Sequence, residues 1–263
     1  MLSPMTNPVA ARTLLDFALE AAWQAGQLTL AHFQTGVSVE HKADRSPVTI
    51  ADRGAEELLR RLIEGRFPGH AIVGEEFGET SRDSAYRWFI DPIDGTQSFI
   101  RGVPLYGVLI GLEIGGDMVL GVVHFPGLQE TVAAARGEGC RWNGRPARVS
   151  HVARLDRALV AYTGTADFAP HGRAVAWARI QAATRIQRGW GDCYGHCLVA
   201  TGRAEVMLDP IMSPWDCAPL LPILQEAGGT FTDWSGQATI YGRNALSTNG
   251  ALYEQVMEVI QAE

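Results

Sequence analysis

The sequence is poor in basic clusters. Lys and Arg together number 22 against 29 Asp and Glu, and the formal charge is -7. No run of Lys or Arg occurs, so a broad basic face for nucleic acid is not expected. No apolar stretch is long enough to cross a bilayer. The opening, MLSPMTNPVAARTLL, lacks the basic start and apolar run of a signal peptide. Cysteine is sparse, and Cys140, Cys193, Cys197 and Cys217 form no CxxC pair. Cys193 and Cys197 fall four apart where a helix is expected, but no companion His/Cys cluster follows. Buried free thiols in a reducing cytoplasm are therefore expected rather than a zinc pair. There is no G-x-x-x-x-G-K-[ST] phosphate loop and no His pair at zinc spacing. Internal repeats and low-complexity linkers are also absent.

What is present is a globular composition of 263 residues, 46% apolar and 19% charged. That length suits one large domain or two that share a core. The spacing of Leu14, Leu15, Ala18, Leu19, Ala22 and Trp23 predicts a helix over residues 9–33. A polar loop over 40–46 follows. Thr49 and Asp52 match a capping box for a second helix that ends at Pro68-Gly69. Short apolar runs at 71–73 and 88–90 predict buried strands that end in acid-rich turns. A meander is expected over 105–135, with turns at Gly115-Gly116 and Pro126-Gly127. Beyond residue 150, strands are expected at 158–162 and 205–208, with helices at 172–183, 192–201, 215–227 and 252–261. Elements alternate in layers, which is the α/β class. A soft boundary near Ser150 separates a metal-bearing half, residues 1–150, from a substrate-shaping half, residues 151–263.

Glu75, Glu76, Asp91, Asp94 and Asp216 all fall at the edges of expected elements. Carboxylates at strand ends can converge on one crevice. Crowded carboxylates repel each other and persist only when protons or hard cations neutralise them. Magnesium suits such a site, because it takes oxygen ligands and keeps some of its waters. Gly95 allows close backbone approach, and the N–H groups after it could cradle a phosphate with the Thr96 hydroxyl beside them. Haloacid-dehalogenase-type phosphatases place their two aspartates two apart. Here Asp91 and Asp94 are three apart, so Asp91 reads as a metal ligand rather than a nucleophile.

Four segments resemble the inositol monophosphatase family in order along the chain. They are D-R-S-P-V-T-I-A-D from Asp44 to Asp52 with Lys42 ahead of it, Gly74-Glu75-Glu76, D-P-I-D-G-T from Asp91 to Thr96, and Trp215-Asp216 followed by Glu226-Ala227-Gly228-Gly229. The resemblance implies a five-layer α/β/α/β/α sandwich, usually dimeric. It implies Mg2+ held by Glu75, Asp91, the Ile93 carbonyl, Asp94 and Asp216, with Thr96 and Asp52 near the attacking water and Glu75 taking part in catalysis. It implies hydrolysis of a phosphate monoester by a metal-activated water, without a phosphoenzyme.

The segment Arg188-Gly189-Trp190-Gly191-Asp192-Cys193-Tyr194-Gly195 departs from the inositol-type pattern, which carries small residues where Asp192 and Cys193 stand. It resembles the histidinol-phosphatase branch of the family. An amine and an imidazole on the substrate would want carboxylates, and Asp192 and Asp209 are the candidates, with Glu205 a weaker one. Asp192 alone could equally be a helix cap. Arg188 could orient Asp192 or meet phosphate, Gly191 lies between them, and Trp190 could wall an imidazole or fill core. The expected substrate is therefore a small, cationic phosphate ester, L-histidinol phosphate. An inositol or sugar monophosphatase is the alternative in the same chemistry. A phosphatase-like protein that binds protein or RNA is the alternative in another class, opposed by the intact acid set and the negative charge.

Overall fold

The computed structural model describes residues 8–80 and 82–262. Residues 1–7 of the opening segment read for a signal peptide lie outside the described residues.

Helix α1 (Pro8–His32) and helix α2 (Ile50–Arg66) pack together on one face of a large sheet. Both carry the expected apolar stripe, with Leu14, Leu15, Ala18 and Ala22 on α1 and Leu59 and Ile63 on α2 all buried. Between the helices, residues 40–48 are not a plain loop. β1 (Glu40–His41) and β2 (Pro47–Val48) pair antiparallel, and the Lys42 N–H donates to the Ser46 carbonyl at 2.9 Å. Helix α2 starts as its sequence directs. Thr49 is the N-cap, its hydroxyl accepts from the Ala51 N–H, and its own N–H donates to Asp52.

The large sheet contains β3 (Ala71–Gly74), β4 (Gly78–Glu79), β5 (Tyr86–Asp94), β6 (Gly107–Ile114), β7 (Asp117–Phe125), β8 (Glu130–Ala135), β9 (Gly139–Trp142) and β10 (Arg145–Pro146). Its order is β10-β9-β8-β7-β6-β5-β3-β4, antiparallel except for the parallel pair β3 and β5. Strand β5 runs on through Asp91 to Asp94, with its pairing to β6 broken by a bulge between these two residues. A bulge re-aims side chains without ending the strand, so both aspartates leave one strand end in usable directions. Gly95, at φ +85°, then turns the chain into the short helix α3 (Thr96–Phe99).

A second sheet holds β11 (Leu159–Tyr162), β12 (Ile186–Arg188), β13 (Val206–Asp209), β14 (Thr230–Thr232) and β15 (Ala245–Thr248) in the order β12-β11-β13-β15-β14. Helix α4 (Ala174–Ala183) packs on α7 (Tyr253–Gln261), and their apolar faces join one core with Val160, Val206 and Leu246 of this sheet. Between the sheets lie α5 (Asp192–Ala200) and α6 (Pro214–Glu226). Their core draws Phe89, Leu109 and Val123 from the first sheet and Ala161 and Met207 from the second. The layers are thus α1/α2, sheet, α5/α6, sheet and α4/α7, the expected five-layer α/β/α/β/α sandwich.

Helix α6 lies unusually close to the first sheet. Gly111 and Gly121 are directly paired across β6 and β7. A Cβ on Gly111 would stand 2.8 Å from Ala218, and one on Gly121 2.6 Å from the Pro219 carbonyl carbon. Only glycine at both positions lets the helix backbone rest on the strands. The same helix carries Asp216 in its first turn.

Candidate active site

The end of β5, the turn after β3 and the first turn of α6 open on a single cleft of about 370 Å³. Glu75, Asp91, Ile93, Asp94, Thr96 and Asp216 all line it, with Gly95 at its edge. One carboxylate oxygen from each of Asp91, Asp94 and Asp216 lies within 4.8 Å of the others. The sequence separates Asp91 from Asp216 by more than a hundred positions. The seat of α6 on Gly111 and Gly121 brings them together.

Each acid is aimed by one donor. Asp91 Oδ1 accepts from the Ile93 N–H at 2.9 Å, across the bulge. Asp94 Oδ2 accepts from the Cys193 N–H at 2.6 Å, in the first turn of α5, where the helix N-terminus favours negative charge. Asp216 Oδ2 closes a capping box with the Ser213 N–H at 2.7 Å. Glu75 Oε1 accepts from Lys42 Nζ at 2.8 Å. A tether to one oxygen orients a carboxylate and leaves its second oxygen as a ligand.

Glu75 owes its place to a residue that sequence reading missed. Glu56 on α2 is fully buried, and its carboxylate accepts from the Glu76 N–H at 2.7 Å and the Phe77 N–H at 3.1 Å. Arg60 supplies its counter-charge at 2.8 Å. Gly74 is required there, since a Cβ would meet the Glu56 carboxyl carbon at 2.6 Å. The local signal was its register: Glu56 lies three before Leu59 and seven before Ile63, so it is an acid on the buried stripe of the helix, although its i,i+4 pair with Arg60 resembles a surface pair.

The electrostatics are those of uncompensated negative charge. Burial, then Glu75, Asp94 and Asp216, push Asp91 well above the usual carboxylate range. Burial and then Asp94 do the same to Asp216. Burial raises Glu75 and Asp94, opposed by Lys42 for the first and by Cys193 for the second. Glu76 is pushed up to about 7, by burial first, while its bond to Lys42 opposes the rise. Burial pulls the Lys42 ammonium down, but its bonds to Glu75 and Glu76 outweigh this and hold it above its ordinary value. Lys42 thus bridges the two glutamates, at 2.8 and 2.7 Å, rather than trailing into solvent. The donor set is oxygen only and crowded enough to share a cation. This fits a hard divalent ion such as magnesium and does not suit a soft one.

Asp52 does two jobs. Its Oδ2 caps α2 through the Thr49 N–H and hydroxyl, at 2.8 and 2.6 Å. Its Oδ1 lies 3.4 Å from the Thr96 hydroxyl, which also donates to the Ile93 carbonyl at 3.0 Å. Burial raises Asp52.

Ser213, Trp215 and Asp216 of the second half line this cleft, whereas Asp192 and Asp209 lie beside the cluster and are not among the lining residues. A Cβ on Gly95 would stand 3.1 Å from Asp192 Oδ2, so the Asp192 carboxylate lies against the Gly95 turn. Burial first, and then Asp94, Asp209 and Asp167, push Asp192 well above its ordinary value. Asp209 is buried at the end of β13 and raised to about 7, by burial first. Gly191 is the N-cap of α5 and packs on Thr163, where a Cβ would meet the Thr163 Cβ at 2.8 Å. Arg188 is exposed and donates to the Gln187 carbonyl at 2.7 Å, so its hydrogen bond goes to its own strand and not to Asp192. Trp190 is 39% exposed and fills no core. Glu205 turns away from the site, its carboxylate accepting from the Leu159 N–H at 2.7 Å to tie β11 to the segment before β13.

The inositol monophosphatase family model matches residues 10–263. A histidinol-phosphatase of Chlorobaculum parvum is 49% identical over 250 residues, covering 94% of this chain and 96% of that one. A histidinol-phosphatase of Mycobacterium tuberculosis is 36% identical, covering 94% of this chain and 98% of that one. Among solved structures, an inositol monophosphatase of Thermotoga maritima superposes with a TM-score of 0.86 at 31% identity, over 94% of this chain and 96% of that one. Fold, acid cluster and sequence agree from end to end: the chain belongs to the inositol monophosphatase family.

Proposed function

We propose that this phosphatase hydrolyses L-histidinol phosphate to L-histidinol and inorganic phosphate, as a magnesium enzyme of histidine biosynthesis. The observation that carries the substrate reading is the Asp192 carboxylate packed against Gly95, beside the acid cluster. A carboxylate there, with Asp209 behind it, suits a substrate that is anionic at one end and cationic at the other. The 49% identity to a protein named histidinol-phosphatase supports it. A relative named fructose-1,6-bisphosphatase/inositol-1-monophosphatase, from Thermotoga maritima, is only 33% identical.

Glu75, Asp91, the Ile93 carbonyl, Asp94 and Asp216 would hold the magnesium. Bound there, it supplies positive charge for the phosphate oxygens and acidifies water. The chain's residues do the rest. Gly95 and Thr96 seat the phosphate. Thr96, held by the Ile93 carbonyl and close to Asp52, orients the attacking water, with Glu75 opposite. Water attacks phosphorus, the bond from phosphorus to the ester oxygen breaks with its electron pair on that oxygen, and the leaving oxygen takes up the proton that the water gives up. Lys42, on the hairpin at the cleft's edge, offsets the charge of Glu75 and Glu76. The same reading takes the protein as a cytoplasmic homodimer with no nucleic-acid partner; its buried free cysteines support the reducing compartment and its acidic balance the last point, while the dimer rests on the family resemblance alone.

The test compares L-histidinol phosphate with p-nitrophenyl phosphate in the wild type and in Asp192→Asn. The variant is expected to raise KM for the cationic ester about tenfold or more and to leave the aryl ester nearly unchanged. Equal losses on both esters would refute the role of Asp192.

A further inference from the structure

Thr163 follows β11 directly and is exposed. Its hydroxyl accepts from the Asp192 N–H at 2.8 Å and donates to Asp209 Oδ2 at 2.7 Å. The hydroxyl has one hydrogen, and Asp209 receives it. With Asp209 ionised, the chain runs from the Asp192 N–H to Thr163 and from the Thr163 O–H to Asp209 Oδ2.

Asp192 needs such a hold. Its φ is +52°, in the left-handed region that a non-glycine residue enters at a cost. In that conformation its carboxylate reaches Gly95 while the next N–H, that of Cys193, is free to grip Asp94. Gly191 lets the turn come down onto Thr163, since any side chain there would collide with the Thr163 backbone and Cβ. The turn before α5, the end of β11 and the end of β13 thus meet at one oxygen atom.

We infer that Thr163 is a positioning residue for substrate selection, locking the left-handed Asp192 and orienting Asp209 so that the two carboxylates face the cationic end of the substrate together. This rests on the substrate reading above. Valine keeps the shape of threonine and removes the hydroxyl, leaving the Asp192 N–H and Asp209 Oδ2 without that partner. Serine keeps the hydroxyl.

The experiment measures kcat and KM for L-histidinol phosphate and p-nitrophenyl phosphate, with magnesium, in the wild type, Thr163→Val, Thr163→Ala, Thr163→Ser and Asp192→Asn, with a melting curve for each. Thr163→Val and Thr163→Ala are expected to raise KM for histidinol phosphate about ten- to a hundredfold. Any loosening that reaches Asp94 through Cys193 acts on both esters alike, so the loss in kcat/KM on histidinol phosphate should exceed that on the aryl ester at least about tenfold. Thr163→Ser should restore KM. An equal loss on both esters, an unchanged KM, or a serine variant as poor as valine would overturn the inference. Asp192→Asn separates the two failures. If it discriminates between the esters and the Thr163 variants do not, only the role of Thr163 falls. If it does not discriminate, the substrate reading falls and takes the inference with it. Should valine not fold, the alanine and serine pair decides alone.

Discussion

Gly121→Ala tests whether the acid cluster is assembled by backbone packing far from the chemistry. The added Cβ would stand 2.6 Å from the Pro219 carbonyl carbon, and closer still to its oxygen. Ordinary contact begins near 3.4 Å. Helix α6 and β7 must therefore part by about 1 Å, because neither neighbour is the tip of a flexible side chain. The cost of such overpacking is about 1–3 kcal/mol. In a chain of this size that is roughly 2–12 °C in melting temperature. The larger effect falls on Asp216, one turn before Pro219 on the same helix. A shift of about 1 Å in a positioned group costs on the order of a hundredfold in rate. The assay is phosphate release from histidinol phosphate across a magnesium titration, with melting curves at each concentration. The variant is expected to need more magnesium and to lose at least tenfold in kcat at saturation. Gly111→Ala, at 2.8 Å from Ala218, should act in the same direction more weakly. A Gly121→Ala protein with wild-type melting and wild-type magnesium dependence would refute the argument that this glycine pair seats Asp216.

Magnesium is expected to raise the melting temperature of the wild type, and Asp216→Asn should remove that rise and abolish hydrolysis of both cationic and aryl esters; a preserved magnesium-dependent rise would count against the ligand assignment. His196 is fully buried with Nδ1 on the Ser247 hydroxyl at 2.7 Å, and burial pulls its pKa down to about 3. Its unfolded value is about 6.5, so the unfolded chain binds the proton first as pH falls. The stability it lends is present above pH 6.5 and drains away toward pH 3, about 2 kcal/mol of it between pH 7 and pH 5. His196→Gln should flatten that acid limb in urea unfolding, and an unchanged slope would contradict the assignment. Glu56→Gln should weaken the hold on the Glu75–Glu76 turn, costing about 1–3 kcal/mol and raising the magnesium requirement together; a stability loss with unaltered magnesium dependence would show that the turn stands without it.

What the sequence made legible was local, and what it hid was tertiary. The capping box at Thr49, the stripes on α1 and α2 and the first-turn position of Asp216 can each be read within a few residues, because their causes lie within a few residues. The acids at 75, 91, 94 and 216 were legible for a different reason: crowded carboxylates beside glycine turns have few stable uses without a cation. The short strands β9, β12, β14 and β15 were not legible. With three or four residues each, their existence depends on a neighbour's edge rather than on a pattern of their own. The loop over 40–46 became a hairpin for the same kind of reason, with Lys42 held by two glutamates more than thirty positions away. Glu56 and Thr163 show the limit most clearly. Glu56 is an acid on the apolar stripe of α2, and Thr163 is the residue after an ordinary strand. Each matters only because a turn from elsewhere descends onto its oxygen atoms. In this fold the clustered acids lie at strand and helix ends, where sequence signals are strong. The residues that aim those acids lie on partner elements, where a single glycine on the approaching turn, Gly74 or Gly191, is a local trace of the contact.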